Sequence, residues 1–164
     1  MEEDNSLEKS LAWLQDLVQG AIGQELETRA LDGLRITHAQ KGSIRCSFVV
    51  SNHASGVDGN WHVGAIATLM DVVGAVAVYS VAHCIIASVD FSISYYSTAK
   101  IHEQVEVDAK VMANKGRLTQ VMVEVRRKGN GELLAVGKQW MASKNVTVSR
   151  NGIYSLKGRI HAIR

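Results

Sequence analysis

Residues 64–82 read GAIATLMDVVGAVAVYSVA, and this stretch decides the fold. Only Thr68, Asp71, Tyr79 and Ser80 interrupt its apolar run. A helix that is apolar on every side is buried, either in the core of a domain or in a membrane. We therefore expect one long buried helix over residues 64–82.

The flanking sequence decides between the core and the membrane. The run is close to the roughly 20 residues that cross a bilayer. However, an Asp near the middle of such a helix costs about 2.5–3.5 kcal/mol, and the run lacks flanking Lys or Arg anchors. The segments on both sides alternate between apolar and polar residues, which is typical of strands in a sheet. We expect no membrane span.

The alternating segments and the turn residues between them predict an antiparallel sheet. The predicted strands are 34–39, 44–51, 87–95, 105–113, 118–126 and 133–143. Residues 7–19 predict an amphipathic leading helix, with Leu7, Leu11, Leu14 and Val18 on one stripe and Ser6 as its N-cap. The expected fold class is α+β: a sheet of five to six strands wrapped around one long buried helix, with an N-terminal helix.

Composition and charge narrow the function. The chain has 164 residues, a net charge of +2 and 5% aromatic residues, which favours one domain and no nucleic-acid partner. Cys46 and Cys84 have neither metal nor disulfide spacing, so we predict reduced thiols in or near the core, no metal and no cofactor. The N-terminus is acidic, which is untypical of secretory or mitochondrial targeting, and the expected location is the cytoplasm.

Asp71 is the residue of chemical interest, because an isolated carboxylate is not tolerated in an apolar interior. Either it pairs with a basic side chain or caps another segment, or its surroundings tune it as a nucleophile or general base. The start of the helix adds a second element. Backbone N–H groups in the first turn, at Val63 and Gly64, lack partners within the helix and can hold a developing oxyanion.

The spacing of these two elements has a consequence. Gly64 and Asp71 are seven residues apart, so about 10 Å of helix separates them. A reacting carbonyl needs both groups within about 3 Å. If both act, Asp71 of one chain should meet Gly64 of a second chain, which predicts a two-fold dimer with two shared sites.

Two stretches resemble one known family. Residues 59–71 (GNWHVGAIATLMD) resemble the G-x-x-H-G-G-x-x-x-x-L-x-D motif of PaaI-like hotdog acyl-CoA thioesterases, and residues 87–99 (ASVDFSISYYSTA) resemble that family's strand after the helix. The likeness covers about residues 25–143. It divides the chain into an N-terminal helical segment (1–24), a hotdog domain (25–143) and a basic tail (144–164).

The resemblance implies roles for particular residues. Asp71 matches the catalytic carboxylate, and the N–H of Val63 or Gly64 matches the donor that polarises the thioester. Ser88 matches a hydroxyl that positions water, and His62 matches the family's His at the helix entrance. The resemblance also implies acyl-CoA as substrate in fatty acid metabolism, no metal, and a homodimer or dimer of dimers (a homotetramer).

Several further residues are candidates for contact with the substrate. Thr68, one turn before Asp71, is expected to orient the carboxylate. Lys100, Arg126 and Arg127 are candidates for the phosphates of CoA by charge alone. The chain departs from the family where Val63 replaces a Gly and where Gly56 replaces an Asn, whose hydrogen bond Asn52 or Asn60 could supply. We therefore count Gly56 and Asn60 among the residues expected to contact the substrate. The alternatives are a hotdog hydratase or dehydratase acting on acyl thioesters, in which His62 works with Asp71, and a non-catalytic acyl-CoA-binding protein.

Overall fold

The computed structural model describes residues 4–85 and 87–143. The tail predicted at 144–164 lies outside these residues. The helices are α1 Ser6–Val18, α2 Glu25–Ala30 and α3 Val63–Ala82, with a short 3₁₀ turn at Asn52–Ala54. The strands are β1 Arg35–Gln40, β2 Ser43–Val49, β3 Ala87–Tyr95, β4 Gln104–Lys115, β5 Leu118–Arg127 and β6 Leu133–Ala142.

The six strands form one antiparallel sheet in the order β1-β2-β4-β5-β6-β3. The sheet wraps around α3, which packs on β2, β4, β5 and β6. This confirms the predicted fold class, with an N-terminal helix and one long central helix. β1 and β3 are the two edges of the sheet.

The centre of α3 is buried because most of the inward positions on the sheet that faces it are apolar. Leu69, Met70 and Val73 are fully buried, as are Val107 and Val123 on the facing strands. α3 is the one helix among residues 4–85 and 87–143 that is long and apolar enough to cross a membrane, and 67% of that stretch is buried inside the fold.

The two cysteines have different surroundings. Cys46 is buried in the core, and this burial raises the pKa of its thiol to about 12. Cys84 is exposed, contrary to the expectation that both cysteines lie in or near the core.

α1 packs on α3, as expected for an amphipathic leading helix. Its first turn differs from the prediction, because Ser6 lies inside the helix and Asn5 occupies the N-cap position. The Ser6 hydroxyl donates to the Ser80 carbonyl at 2.7 Å, and the Ser80 hydroxyl accepts from the Gly42 N–H at 2.8 Å. These bonds connect α1, α3 and the β1–β2 hairpin through buried polar groups.

Candidate active site

One oxygen of Asp71 is held by two side chains. The Ser88 hydroxyl donates to Asp71 Oδ1 at 2.9 Å, and Gln139 Nε2 donates to the same oxygen. Gln139 Nε2 also donates to Ser88 Oγ at 2.8 Å, which closes a three-membered network. Asp71 is half-buried, Ser88 is exposed and Gln139 is wholly buried. A carboxylate oriented by two donors at the edge of solvent is suited to act as a base or nucleophile.

The position of Ser88 depends on an irregularity in β3. Strict alternation from Phe91 places Ser88 on the polar, outward face of the sheet. In the structure Ser88 pairs with Met141 and Asp90 pairs with Trp140, so the intervening Val89 is an extra residue. Such a bulge inverts the alternation. It turns Ser88 towards α3 and leaves Val89 54% exposed.

Gln139 is the site residue that the sequence analysis missed. It lies on β6 between Gly137 and Met141, in the inward phase of the strand, where its neighbours are small or apolar. A polar side chain in that phase needs a partner, and this was the signal available in the sequence. Its Oε1 has no hydrogen-bond partner among the described residues and lies against Gly74 of α3, where a Cβ would come within 3.2 Å.

The N-terminus of α3 is capped by the preceding residue. His62 Nδ1 accepts a hydrogen bond from the Gly64 N–H at 3.0 Å, and the imidazole lies over the Gly64 Cα, where a Cβ would meet it at 3.1 Å. His62, Val63 and Gly64 are all exposed. Of the two N–H groups predicted to polarise the thioester, that of Gly64 is therefore held by the neighbouring imidazole in this structure.

Asp71 and Gly64 belong to one unbroken helix, so the separation of about 10 Å inferred from their spacing holds in the structure. Thr68 lies between them and lines a cavity together with Asp71. Its hydroxyl donates to the Gly64 carbonyl at 2.8 Å. The Asp71 carboxylate accepts hydrogen bonds from Ser88 and Gln139, and orientation of the carboxylate by Thr68 stays a prediction.

Residues 56–60, in the loop before α3, form hydrogen bonds with one another. The Gly56 N–H donates to the Asn60 carbonyl at 2.8 Å, and the Asn60 side chain donates to Asp58 at 2.8 Å. A Cβ at Gly56 would meet the Asp58 carboxylate at 3.0 Å. The side chains of Asn60 and Asp58 are thus engaged with each other, and substrate contact by Gly56 or Asn60 stays a prediction.

The candidate phosphate ligands differ in their surroundings. Arg126 pairs with Glu124 at 3.0 Å. Arg127 pairs with Glu103, with Glu132 at 2.9 Å, and with the Thr98 carbonyl at 3.0 Å. Lys100 is exposed and pairs through its backbone with Asn60 in the loop that enters α3. Arg127 is therefore committed to neighbouring strands and loops, and phosphate binding by any of the three remains a prediction.

We expect Arg127→Met to lower the urea midpoint and to make stability less sensitive to acid. The hydrogen bond from Arg127 lowers the pKa of Glu132, and the Lys100 N–H followed by Arg127 lowers the pKa of Glu103. Carboxylates with depressed pKa values stabilise the fold above the ordinary Glu pKa of about 4.3, and this contribution is lost as the pH falls below it. Urea unfolding from pH 7 to pH 3 measures both effects.

Arg126→Met is the matched control, because Arg126 is more exposed and pairs with Glu124 on its own strand. It should leave both the midpoint and its pH dependence nearly unchanged. Equal effects of the two substitutions would contradict the structural role given to Arg127.

Comparison with known proteins shows that this chain is similar in sequence and in fold to thioesterases. Residues 58–134 match the family model described as Thioesterase superfamily, a range that includes Asp71 and Ser88 and stops before Gln139. Human acyl-coenzyme A thioesterase 13 is 29% identical over 111 residues, which cover 67% of this chain and 79% of that protein.

Two solved structures share the fold. Zebrafish thioesterase superfamily member 2 is 28% identical, with a TM-score of 0.71 over 80% of this chain and 95% of that one. A hypothetical thioesterase protein from Streptococcus pneumoniae, solved with coenzyme A, is 18% identical, with a TM-score of 0.65 over 68% of this chain and 89% of that one. At that identity the second likeness shows the fold alone.

Proposed function

We propose that this chain is an acyl-CoA thioesterase of the hotdog fold that uses Asp71 to hydrolyse acyl-CoA to a free acid and CoA. Its match to the thioesterase family model and its fold support the proposal. The observation that carries the proposal is the oriented carboxylate, with Oδ1 held by Ser88 and Gln139 beside a cavity. The name of the human relative supports acyl-CoA as the substrate class.

The reaction needs a new C–O bond at the thioester carbonyl and cleavage of the C–S bond. Asp71 either removes a proton from the attacking water or attacks directly, giving an anhydride that water then hydrolyses. In both cases the carbonyl oxygen becomes negative and is stabilised by backbone N–H groups at the start of α3, for which the Gly64 N–H must first leave His62 Nδ1. The departing CoA thiolate takes up a proton, and the acid is released.

We propose that each site is shared between two chains. The carboxylate and the N–H donors of one chain are about 10 Å apart along α3, too far to act on one carbonyl. The edge strand β3 carries the site residue Ser88 together with exposed side chains at Val89 and Tyr95, and the exposed Tyr96 follows the strand directly. An unpaired edge with exposed apolar residues is a surface that a second copy can cover.

Complementation between inactive chains tests the shared site. We expect Asp71→Asn and Gly64→Val proteins each to be inactive alone, the second because its side chain meets the His62 ring over the donors. In a heterodimer one of the two sites combines an intact Asp71 with an intact Gly64. Random mixing should therefore restore about a quarter of the wild-type activity.

The two proteins are co-expressed with different tags, and activity is measured before and after isolation of the doubly tagged species. Isolated heterodimer should have about half of the wild-type activity per dimer. If both single variants are inactive and the heterodimer regains nothing, each site lies within one chain.

The structure also bears on the hydratase alternative. That chemistry needs an imidazole near the carboxylate, whereas His62 caps the far end of the helix segment that carries Asp71. Only a partner chain could bring the two together.

One observation favours the binding-protein alternative. Val63 stands where the family motif has a Gly, and its side chain is 52% exposed at the start of α3, beside the N–H donors. Release of free CoA separates hydrolysis from both alternatives.

A further inference from the structure

A cavity of about 360 Å³ lies directly beside Asp71, between α2, α3 and β3. Ala67 and Asp71 are one helical turn apart on α3, and Val72 continues the same wall. Phe91 of β3 and Leu26 of α2 complete the apolar lining. Gln24, Glu27 and Thr68 also contribute to the lining, so the cavity combines four apolar residues with polar ones that include Asp71.

Leu26 is unusual among these walls because it is 67% exposed, whereas the next residue of α2, Glu27, is buried. An exposed Leu alone means little, but this one faces the cavity of the catalytic carboxylate. Burial of its exposed surface would release free energy at about 25 cal/mol per Å² of apolar area. Leu26 is thus an apolar surface that a ligand in the cavity can cover.

The wall formed by α2 is fixed in place. Glu27 is 6% exposed, and its carboxylate accepts the Gln24 N–H at 2.6 Å in a capping box. Gly23 has φ +86°, and a Cβ there would come within 2.6 Å of Leu17 and 2.8 Å of Glu27. Leu26 therefore stands on a short helix whose start is fixed by a capping box and packs closely against α1.

The wall of the cavity that Phe91 forms is also fixed by its neighbours. Phe91 pairs with Gln139 across β3 and β6, and its ring lies over Gly137, where a Cβ would come within 2.9 Å. Gly137 thus makes the space that the ring occupies. The apolar wall is in this way built on the same strand pair that holds Ser88 and Gln139 against Asp71.

We infer that this cavity binds the aliphatic chain of the acyl group and that contact with Leu26 determines how steeply kcat/KM rises with chain length. The inference rests on the proposed thioesterase function. With the thioester carbonyl at Asp71, two groups extend from it: the acyl chain, which is apolar, and the CoA arm, which is polar and ends in charged phosphates. Apolar walls next to the carbonyl match the first, and transfer of each methylene into them contributes about 4-fold in kcat/KM.

The test compares straight-chain acyl-CoAs from acetyl to dodecanoyl on wild type, Leu26→Gln and Met112→Gln. Met112 is a matched control, because it is 53% exposed on the other side of the sheet and does not line this cavity. In wild type and Met112→Gln, kcat/KM should rise with chain length until the cavity is filled. In Leu26→Gln the ratio of kcat/KM for decanoyl-CoA to kcat/KM for acetyl-CoA should fall about 10-fold. An unchanged ratio overturns the inference.

Two further measurements keep the outcome decisive. Calorimetric titration of Asp71→Asn and Asp71→Asn/Leu26→Gln with decanoyl-CoA and with CoA measures binding without turnover. We expect the acyl chain to tighten binding at least about 10-fold in the first protein and much less in the second. If wild type releases no CoA but this difference is present, the proposed function fails and the chain site stands. Sedimentation of Leu26→Gln should show the same assembly state as the wild type. Dissociation of the variant would mean that Leu26 is covered by a second copy of the chain, which overturns the inference.

Discussion

Replacing Asp71 by Asn is expected to lower kcat for acyl-CoA hydrolysis by about 10²–10⁴-fold, the usual contribution of a positioned general base. Asn has nearly the same size, and its amide oxygen can still accept from Ser88 and Gln139, so the surrounding network and the fold should persist. The loss therefore reports chemistry and not packing. Release of the CoA thiol in a coupled assay measures it, with a blank for the exposed thiol of Cys84.

Asp90→Asn is the control for this substitution. Asp90 is an exposed carboxylate on β3, two residues from Ser88, and pairs across the sheet with Trp140. Its loss should change kcat less than about 2-fold, as for most exposed positions away from a special feature. An Asp71→Asn protein as active as the wild type would remove Asp71 from the mechanism, whatever the control shows.

Gln139→Leu is expected to lower kcat by about 10- to 100-fold with little change in KM. Gln139 is wholly buried and cannot contact substrate, but it donates to both Asp71 and Ser88. A hydrogen bond to a charged group contributes about 1.5–3 kcal/mol, which sets the size of the effect. The separation of kcat from KM distinguishes positioning of the carboxylate from binding of CoA.

Stability and coupling measurements exclude a merely structural explanation. Leu also removes the Gln139 Oε1, which has no hydrogen-bond partner among residues 4–85 and 87–143, so the urea midpoint should change little. The double variant with Ser88→Ala should lose less than the product of the two single effects, because both act on Asp71 Oδ1. Gln120→Leu, on the other face of β5, is the control. A large fall in the midpoint with unchanged kcat at low temperature would contradict the positioning role.

The elements that the sequence predicted correctly are those whose pattern is long and regular. The apolar run that became α3 and the alternating strands needed only burial to define them, and their ends differ from the structure by one or two residues. α2 was missed because its six residues are too short to show a helical period. Its six residues are nevertheless enough to place Leu26 at the cavity that contains the carboxylate.

The site was predicted only where single residues carry the chemistry. Asp71 was identifiable because a carboxylate in an apolar helix demands an explanation. The inward turn of Ser88 depends on the bulge at Val89, which strict alternation cannot show. The bond between His62 and Gly64 depends on a side-chain rotamer, and the contact of Gln139 with Asp71 depends on β6 lying beside β3, a pairing of strands that are far apart in the chain.

The central claim is that this fold hydrolyses acyl thioesters with the carboxylate on its central helix. The most direct measurement is the time course of CoA and free acid formed from decanoyl-CoA by purified wild type, with Asp71→Asn as the blank. We predict equimolar products at a rate proportional to enzyme concentration, and at least about 10²-fold slower release by the variant. Equal rates for the two proteins, or no release by the wild type from any acyl chain length, would contradict the claim.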